Sequence, residues 1–347
     1  MLFFRILVAL AGLWLIIVTV SAAIRSFVLP RNETVRLNVW IFSAVRVIFD
    51  FAARTARNYA QRDRVMAHYA PVALVALPIV WEALVGLGYT GIYWALGEGS
   101  WGQCYRLSSS YLLTLGTDKL RSAGAAVLGF SEAALGLLLL TLLLSYLPTI
   151  YQAFSRREVT VARLELRAGT PATPVALVLW LHRNDALDND TAEWAAWEKW
   201  FVEIEESHTS LPILTFFRSP QPGRSWVTAS GLVLDAANLL FSALEGERDR
   251  QVELTFKAGC LALNRVYRFF DQKVGTEPAS IQPEASAPET PGRADFLAAH
   301  AALAAAGLPV RPDVAAAWQY YHERRESYRA AAGYLARLTM APEVKGV

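Results

Sequence analysis

The sequence predicts an all-α membrane protein with three transmembrane helices, a re-entrant loop between the last two, and a mainly helical cytoplasmic domain. Three observations predict it. Residues 6–24, 69–97 and 125–151 are apolar runs, each long enough to cross about 30 Å of hydrocarbon. A short polar stretch, residues 101–120, separates the second run from the third. Beyond residue 153, apolar and aromatic residues recur at helical spacing. Composition agrees: 54% of the 347 residues are hydrophobic and the mean hydropathy is positive. Lys and Arg total 33 against 31 Asp and Glu, so net charge names no nucleic-acid partner. Two cysteines cannot form a disulfide framework.

The polar stretch organises the rest. Residues 105–113 are amphipathic and run into Thr114-Leu115-Gly116-Thr117. A descending half-helix, then extended backbone, then a return to the surface is the order of a re-entrant pore loop. Irregular backbone at membrane depth is tolerated only where protein or a water-filled cavity surrounds it. A row of backbone carbonyls facing such a cavity can replace the water around a cation. Gly116 visits positive φ freely and Asp118 tolerates it. The competing reading is an ordinary loop between two spans.

This order resembles the two-helix pore module of potassium channels. Downstream, Ser131-Glu-Ala-Ala-Leu-Gly136, the run from Leu144 through Pro148 to Val159, and Leu164-Glu-Leu-Arg-Ala-Gly169 resemble the inner helix and its exit in a bacterial potassium-channel-like family with a helical C-terminal domain. Glu206-Ser-His-Thr-Ser-Leu-Pro-Ile-Leu214, Phe217-Arg-Ser219 and Ser225-Trp226 resemble that family's soluble part. The resemblance covers roughly residues 1–270. It implies an ion channel passing monovalent cations, with K+ expected, built by four copies of the chain around one axis, closed symmetry being the usual solution. It implies that Thr114, Leu115, Gly116, Thr117 and Asp118 line the narrow part. It makes Gly136 a candidate bending point for a gate, with helix packing as the competing role. It implies no cofactor, and no metal beyond permeant ions at the filter. The chain also departs from the family. Where the family filter reads Thr-Leu-Gly-aromatic-Gly-Asp, this chain reads Thr114-Leu115-Gly116-Thr117-Asp118-Lys119 and is about two residues short before the inner helix. The aromatic that would brace the filter is missing, and Lys119 adds a positive charge partly offset by Asp118. Selectivity is therefore open. A non-conducting membrane scaffold or accessory subunit built on a channel fold is the alternative.

The elements follow in order. Residues 1–29 hold the first helix, read as retained; a signal peptide ending near Ser21-Ala22-Ala23 is the rival. Residues 30–68 carry seven arginines among an apolar band, which suits one helix lying in the interface. A second span is the rival, but it would place Arg46 and Asp50 in hydrocarbon. The arginines put this segment in the cytoplasm. Residues 69–152 form the pore module. Glu82 lies inside its first span, where an ionisable residue flags function. It is expected to brace Ser108 or Ser109, or to act in permeation. Pro148 removes a helical hydrogen bond near the cytoplasmic exit and marks a candidate gate. Arg156 and Arg157 fix that end inside. The protein is thus expected in the inner (plasma) membrane with a cytoplasmic C-terminus, and Cys104 is expected in the outer loop.

Residues 153–271 are expected to be a cytoplasmic helical domain, opened by a strand or extended arm at 159–167, where apolar and polar residues alternate. Residues 272–294 read as a disordered linker and 295–347 as C-terminal helices. The histidines lack metal-ligand spacing, and no phosphate loop or nucleophile elbow appears. The sequence therefore predicts no enzyme.

Overall fold

A computed structural model describes residues 2–27, 35–117, 122–189, 191–221, 223–246, 249–274 and 292–342. These form helices and their connections, with no β-strand among them. Four helical stretches are long and apolar enough to cross a membrane, the complement of a multi-pass membrane protein: Leu2–Ser26, Tyr59–Leu96, Ala123–Ala168 and Trp226–Ala243. They differ in what covers them. Of the apolar window in Trp226–Ala243, 83% is buried within the chain, against at most 44% in the others.

Backbone contacts divide the chain into two compact units, Met1–Ala52 with His68–Tyr151 and Ala53–Ala67 with Gln152–Val347. In the first, α1 (Leu2–Phe27) packs along α4 (Tyr69–Leu96). The contact depends on Gly12 and Gly88. A Cβ on Gly88 would stand 2.8 Å from the Gly12 carbonyl oxygen, and a Cβ on Gly12 would collide with the Gly88 carbonyl. Small residues let membrane helices approach closely, since lipid tails give apolar side chains little reason to associate. Helix α4 runs through Pro78 and stops at Gly97, whose φ of 84° caps the last turn. Helix α5 (Trp101–Leu112) starts at Ser100, whose backbone N–H donates to the Gln103 side chain.

Two expectations about chain course are corrected. Residues 30–68 do not form one helix: α2 (Arg36–Arg54) and α3 (Tyr59–Ala67) are separate, and α3 belongs to the second unit. Asn58 accepts from the Gln61 N–H and opens α3 afresh, and Asp63 of α3 pairs with Arg218. On α2, the Arg46 Nε donates to Asp50 at 2.8 Å, so the two charges satisfy each other. The second correction concerns residues 159–167, which are not extended. Helix α6 runs unbroken from Ala123 to Ala168, through Pro148. Arg157, Val161, Leu164 and Ala168 recur at helical spacing and are all buried, while Val159 and Leu166 are exposed. The helical stripe had a core to pack against and the alternating one had none.

The second unit also holds α7 (Pro174–Arg183), α8 (Ala186–Asn189), α9 (Thr191–Ser210), a 3-10 turn (Pro212–Phe216), α10 (Trp226–Ala243), α11 (Arg250–Arg268), α12 (Arg293–Ala305) and α13 (Val314–Thr339). Trp194, Trp197 and Phe201 of α9 are buried in a core that also holds residues of α10 and α11. Phe296 of α12 and Tyr321 and Tyr328 of α13 fill the same core. The C-terminal helices are therefore part of this core. Residues 275–291, most of the expected linker, lie outside the described residues.

Two buried polar knots hold this unit. Asp235 of α10 accepts from Tyr321 Oη at 3.1 Å and Arg325 Nε at 2.9 Å, and from the Tyr328 hydroxyl. Burial, then the Asp235 charge, pushes both tyrosine hydroxyls well above their ordinary range. In the other knot, the Arg157 guanidinium donates to the carbonyls of Leu214 (2.9 Å) and Phe217 (2.7 Å) and to Glu158 (2.8 Å). It also lies 3.2 Å from His208 Nε2. Arginine only donates, so Nε2 accepts and Nδ1 donates to the Ile204 carbonyl, 2.9 Å away. Burial, then Arg157, holds this imidazole well below the usual histidine pKa.

Asp235→Ala strands Arg325 in the core and is expected to cost about 3–5 kcal/mol, read as a lowered thermal midpoint in detergent. The His208 effect has a definite sign. The unfolded chain takes up a proton below about pH 6.5 while the folded imidazole stays neutral. Stability is then lost on acidification at about 1.4 kcal/mol per pH unit. His208→Gln is expected to flatten the midpoint-versus-pH curve between pH 6.5 and 5.

Candidate functional site

The polar stretch behaves as a short helix feeding an irregular turn. Helix α5 ends at Leu112, and Leu113–Thr117 is non-helical and exposed. All four amides after Leu113 are tied back to α5. Thr114 N donates to the Tyr111 carbonyl at 2.9 Å, and Leu115 N and Gly116 N donate to the Ser110 carbonyl at 2.8 and 3.2 Å. Thr117 N donates to Ser110 Oγ at 2.8 Å, and that hydroxyl lies 2.9 Å from Thr117 Oγ1. Among the described residues, no donor reaches the carbonyl oxygens of Thr114 to Thr117. The turn therefore spends its donors inward, and among the described residues its acceptors are uncommitted.

The turn carries two positive-φ residues, Thr114 at 57° and Gly116 at 60°. For Gly116 this conformation is ordinary. For Thr114, β-branched, it is an outlier costing about 1–3 kcal/mol, the kind of strain that collects at functional sites. Asp118 and Lys119, the remaining residues of this stretch singled out by sequence, lie outside the described residues.

Behind the turn, one carboxyl joins three helices. Glu132 of α6 is fully buried. Its Oε2 accepts from Tyr93 Oη of α4 at 2.8 Å, and its Oε1 contacts Ser108 Oγ of α5. Ser108 Oγ also lies 2.9 Å from the Gly86 carbonyl. A serine hydroxyl owns one hydrogen. Both Ser108 contacts are hydrogen bonds when Glu132 holds a proton and donates it to Ser108, which then donates to Gly86. One helical turn earlier on α4, Tyr89 Oη and Ser131 Oγ are 2.8 Å apart and form a second α4–α6 link.

Gly136 presses on the same assembly. A Cβ there would collide with the Leu112 carbonyl at the end of α5. Gly136 therefore lets α6 touch the base of the turn, a packing contact. Pro148 lies within α6 and leaves the helix continuous. The expected Glu82 brace is corrected. Ser108 is taken by Glu132 and Gly86, while Glu82 is half-buried, with its Oε1 enclosed and unpartnered among the described residues. Cys104 is corrected too: it is buried inside α5, not in a loop.

Glu132 is the residue that sequence reasoning missed. The signal was present, because an ionisable residue inside an apolar span marks a site whichever span it is in. Tyr93, its partner on α4, is likewise fully buried and holds the carboxyl. No family model, curated protein or solved structure matches the chain.

Glu132→Gln keeps a donor for Ser108 and an acceptor for Tyr93, so its thermal midpoint is expected within about 1 kcal/mol of the native value. Glu132→Ala leaves the buried Tyr93 hydroxyl without its acceptor, while Ser108 keeps Gly86, and opens a cavity, expected to cost about 2–5 kcal/mol. Thermal melts of the two variants in detergent separate these outcomes.

Proposed function

We propose that the protein is a potassium-channel-like ion channel passing monovalent cations, with Thr114, Leu115, Gly116, Thr117 and Asp118 lining the narrow part of its pore. The observation that carries this reading is the turn after α5, with four amides tied inward and the carbonyls left over. In lipid such acceptors need a partner, and a partly dehydrated cation is one. The turn and much of α1 and α6 are exposed in a single chain, including Leu115, Leu137 and Leu144, which suits further copies. By the resemblance they number four.

In this reading three helices cross the membrane: α1, α4 and α6. Helix α10 is the core of a cytoplasmic domain, because its apolar window is already covered by its own unit. Exposed Trp40, Val47, Ile48 and Phe51 of α2 would lie at the interface of the plasma membrane, among the arginines that mark its cytoplasmic side. Gly136 and Pro148 are the candidate positions at which the inner helix would move.

A second reading keeps the fold without conduction. Thr117 stands where the resembling filter has an aromatic, and its side chain turns back to Ser110 instead of packing outward. A non-conducting scaffold or accessory subunit would have this form.

Currents through purified protein in planar bilayers discriminate between the readings. The channel reading expects conductance in potassium or sodium salts. It also expects Gly116→Ala to lower conductance at least tenfold. Nothing lies within 4 Å of a Cβ at that position, so the substitution acts only through the positive φ. Silence across several salts, from intact oligomers, would establish the scaffold.

A further inference from the structure

The second unit has a polar cleft that its own fold does not fill. Thr215, Phe216, Phe217, Arg218, Ser219 and Arg224 form its wall, the start of α10 at Ser225 and Trp226 forms its floor, and Thr339 and Ala341 form its rim. It is a small open cleft with a cavity volume of about 20 Å³, somewhat above the roughly 10–15 Å³ that a single water needs. The occupant it fits is therefore small.

The cleft's chemistry is one-sided. Thr215 and Ser219 are 1% and 8% exposed, and among the described residues their hydroxyls have no hydrogen-bond partner. A buried hydroxyl left unpaired is destabilising, so two on one wall call for a ligand. Arg224 pairs with Glu165 through one terminal nitrogen, but its Nε is enclosed and unpartnered. The floor is the N-terminus of an eighteen-residue helix, where amide N–H groups and the helix dipole favour negative charge. Ser225 Oγ accepts from the Val227 N–H at 3.2 Å, which keeps its own hydrogen available to donate. Acceptors near the cleft are already used. Arg218 donates to Asp63 and to the carbonyls of Thr339 (2.6 Å) and Met340 (3.3 Å). The Thr215 carbonyl takes Trp226 Nε1 at 3.2 Å.

We propose that this cleft binds a phosphate-class oxyanion, held by Thr215, Ser219, Ser225, Arg224 Nε and the first amides of α10. The oxyanion is either free or the headgroup of an acidic lipid. It tethers the end of α13, whose last carbonyls share Arg218 with the cleft wall. The proposal stands whether or not the membrane unit conducts.

The test is the thermal midpoint of the full-length protein as a function of inorganic phosphate in detergent. It is repeated in lipid discs of phosphatidylcholine with and without phosphatidic acid. Saturable stabilisation of the native protein is expected, at least 4 °C at saturation, with chloride at matched ionic strength giving none. The double variant Thr215→Val with Ser219→Ala removes only hydroxyls that bind nothing in the empty protein. Its midpoint without phosphate is expected to equal or exceed the native one, so folding is controlled. Its phosphate response is expected to fall at least tenfold in apparent affinity. A response to phosphatidic acid alone, lost in the double variant, assigns the oxyanion to a lipid headgroup. No saturable response to either probe, or one unchanged in the double variant, overturns the proposal.

Discussion

A backbone that leaves its helix must find a partner for every amide it frees, and that constraint shapes the first unit. The end of α5 supplies the partners. Ser110 alone takes three of the four amides of the turn, two through its carbonyl and one through its hydroxyl. The turn is thus an extension of α5, and its position is fixed by whatever fixes α5. Glu132 does that by meeting α5 and α4 from α6, while Gly136 removes the side chain that would hold α6 away. Donors are spent on holding the shape, so acceptors are what the turn presents.

The two units solve the same problem with different means. In the first, little is gained by hiding apolar surface from lipid, so glycines and shared hydrogen bonds set the helix contacts. In the second, large aromatic side chains from α9 to α13 fill one core. There the burial of apolar area supplies the main stabilisation, and buried charges such as Asp235 and Arg157 serve to fix which helix meets which.

Much of this was legible in the sequence, and the failures have physical causes. The apolar runs of α1, α4 and α6 are readable because the length needed to span hydrocarbon is fixed. The short α5 and the turn were readable because a polar break between two such runs has few other uses. Residues 159–167 misled because Val159, Val161, Leu164 and Leu166 fit a strand as well as a helix, and only the buried partners of Val161 and Leu164 decide between them. Glu82 misled because sequence does not say which face of a helix looks inward. Ser108 had two candidate carboxylates, and the one 24 residues later won. The C-terminal helices were recognisable as helices, but their place in the core depends on pairings such as Tyr321 with Asp235, 86 residues apart.

One feature of α10 reaches back to how the chain is made. Helix α10 is apolar enough to be taken for a membrane segment, and it is synthesised before α13, which completes its cover. Asp235 sits at its middle. A carboxylate there adds about 2.5–3.5 kcal/mol to the free energy of lateral entry into the bilayer through the insertion machinery. The same side chain that later clamps Tyr321, Tyr328 and Arg325 therefore disfavours α10 as a span during the interval in which it emerges naked from the ribosome.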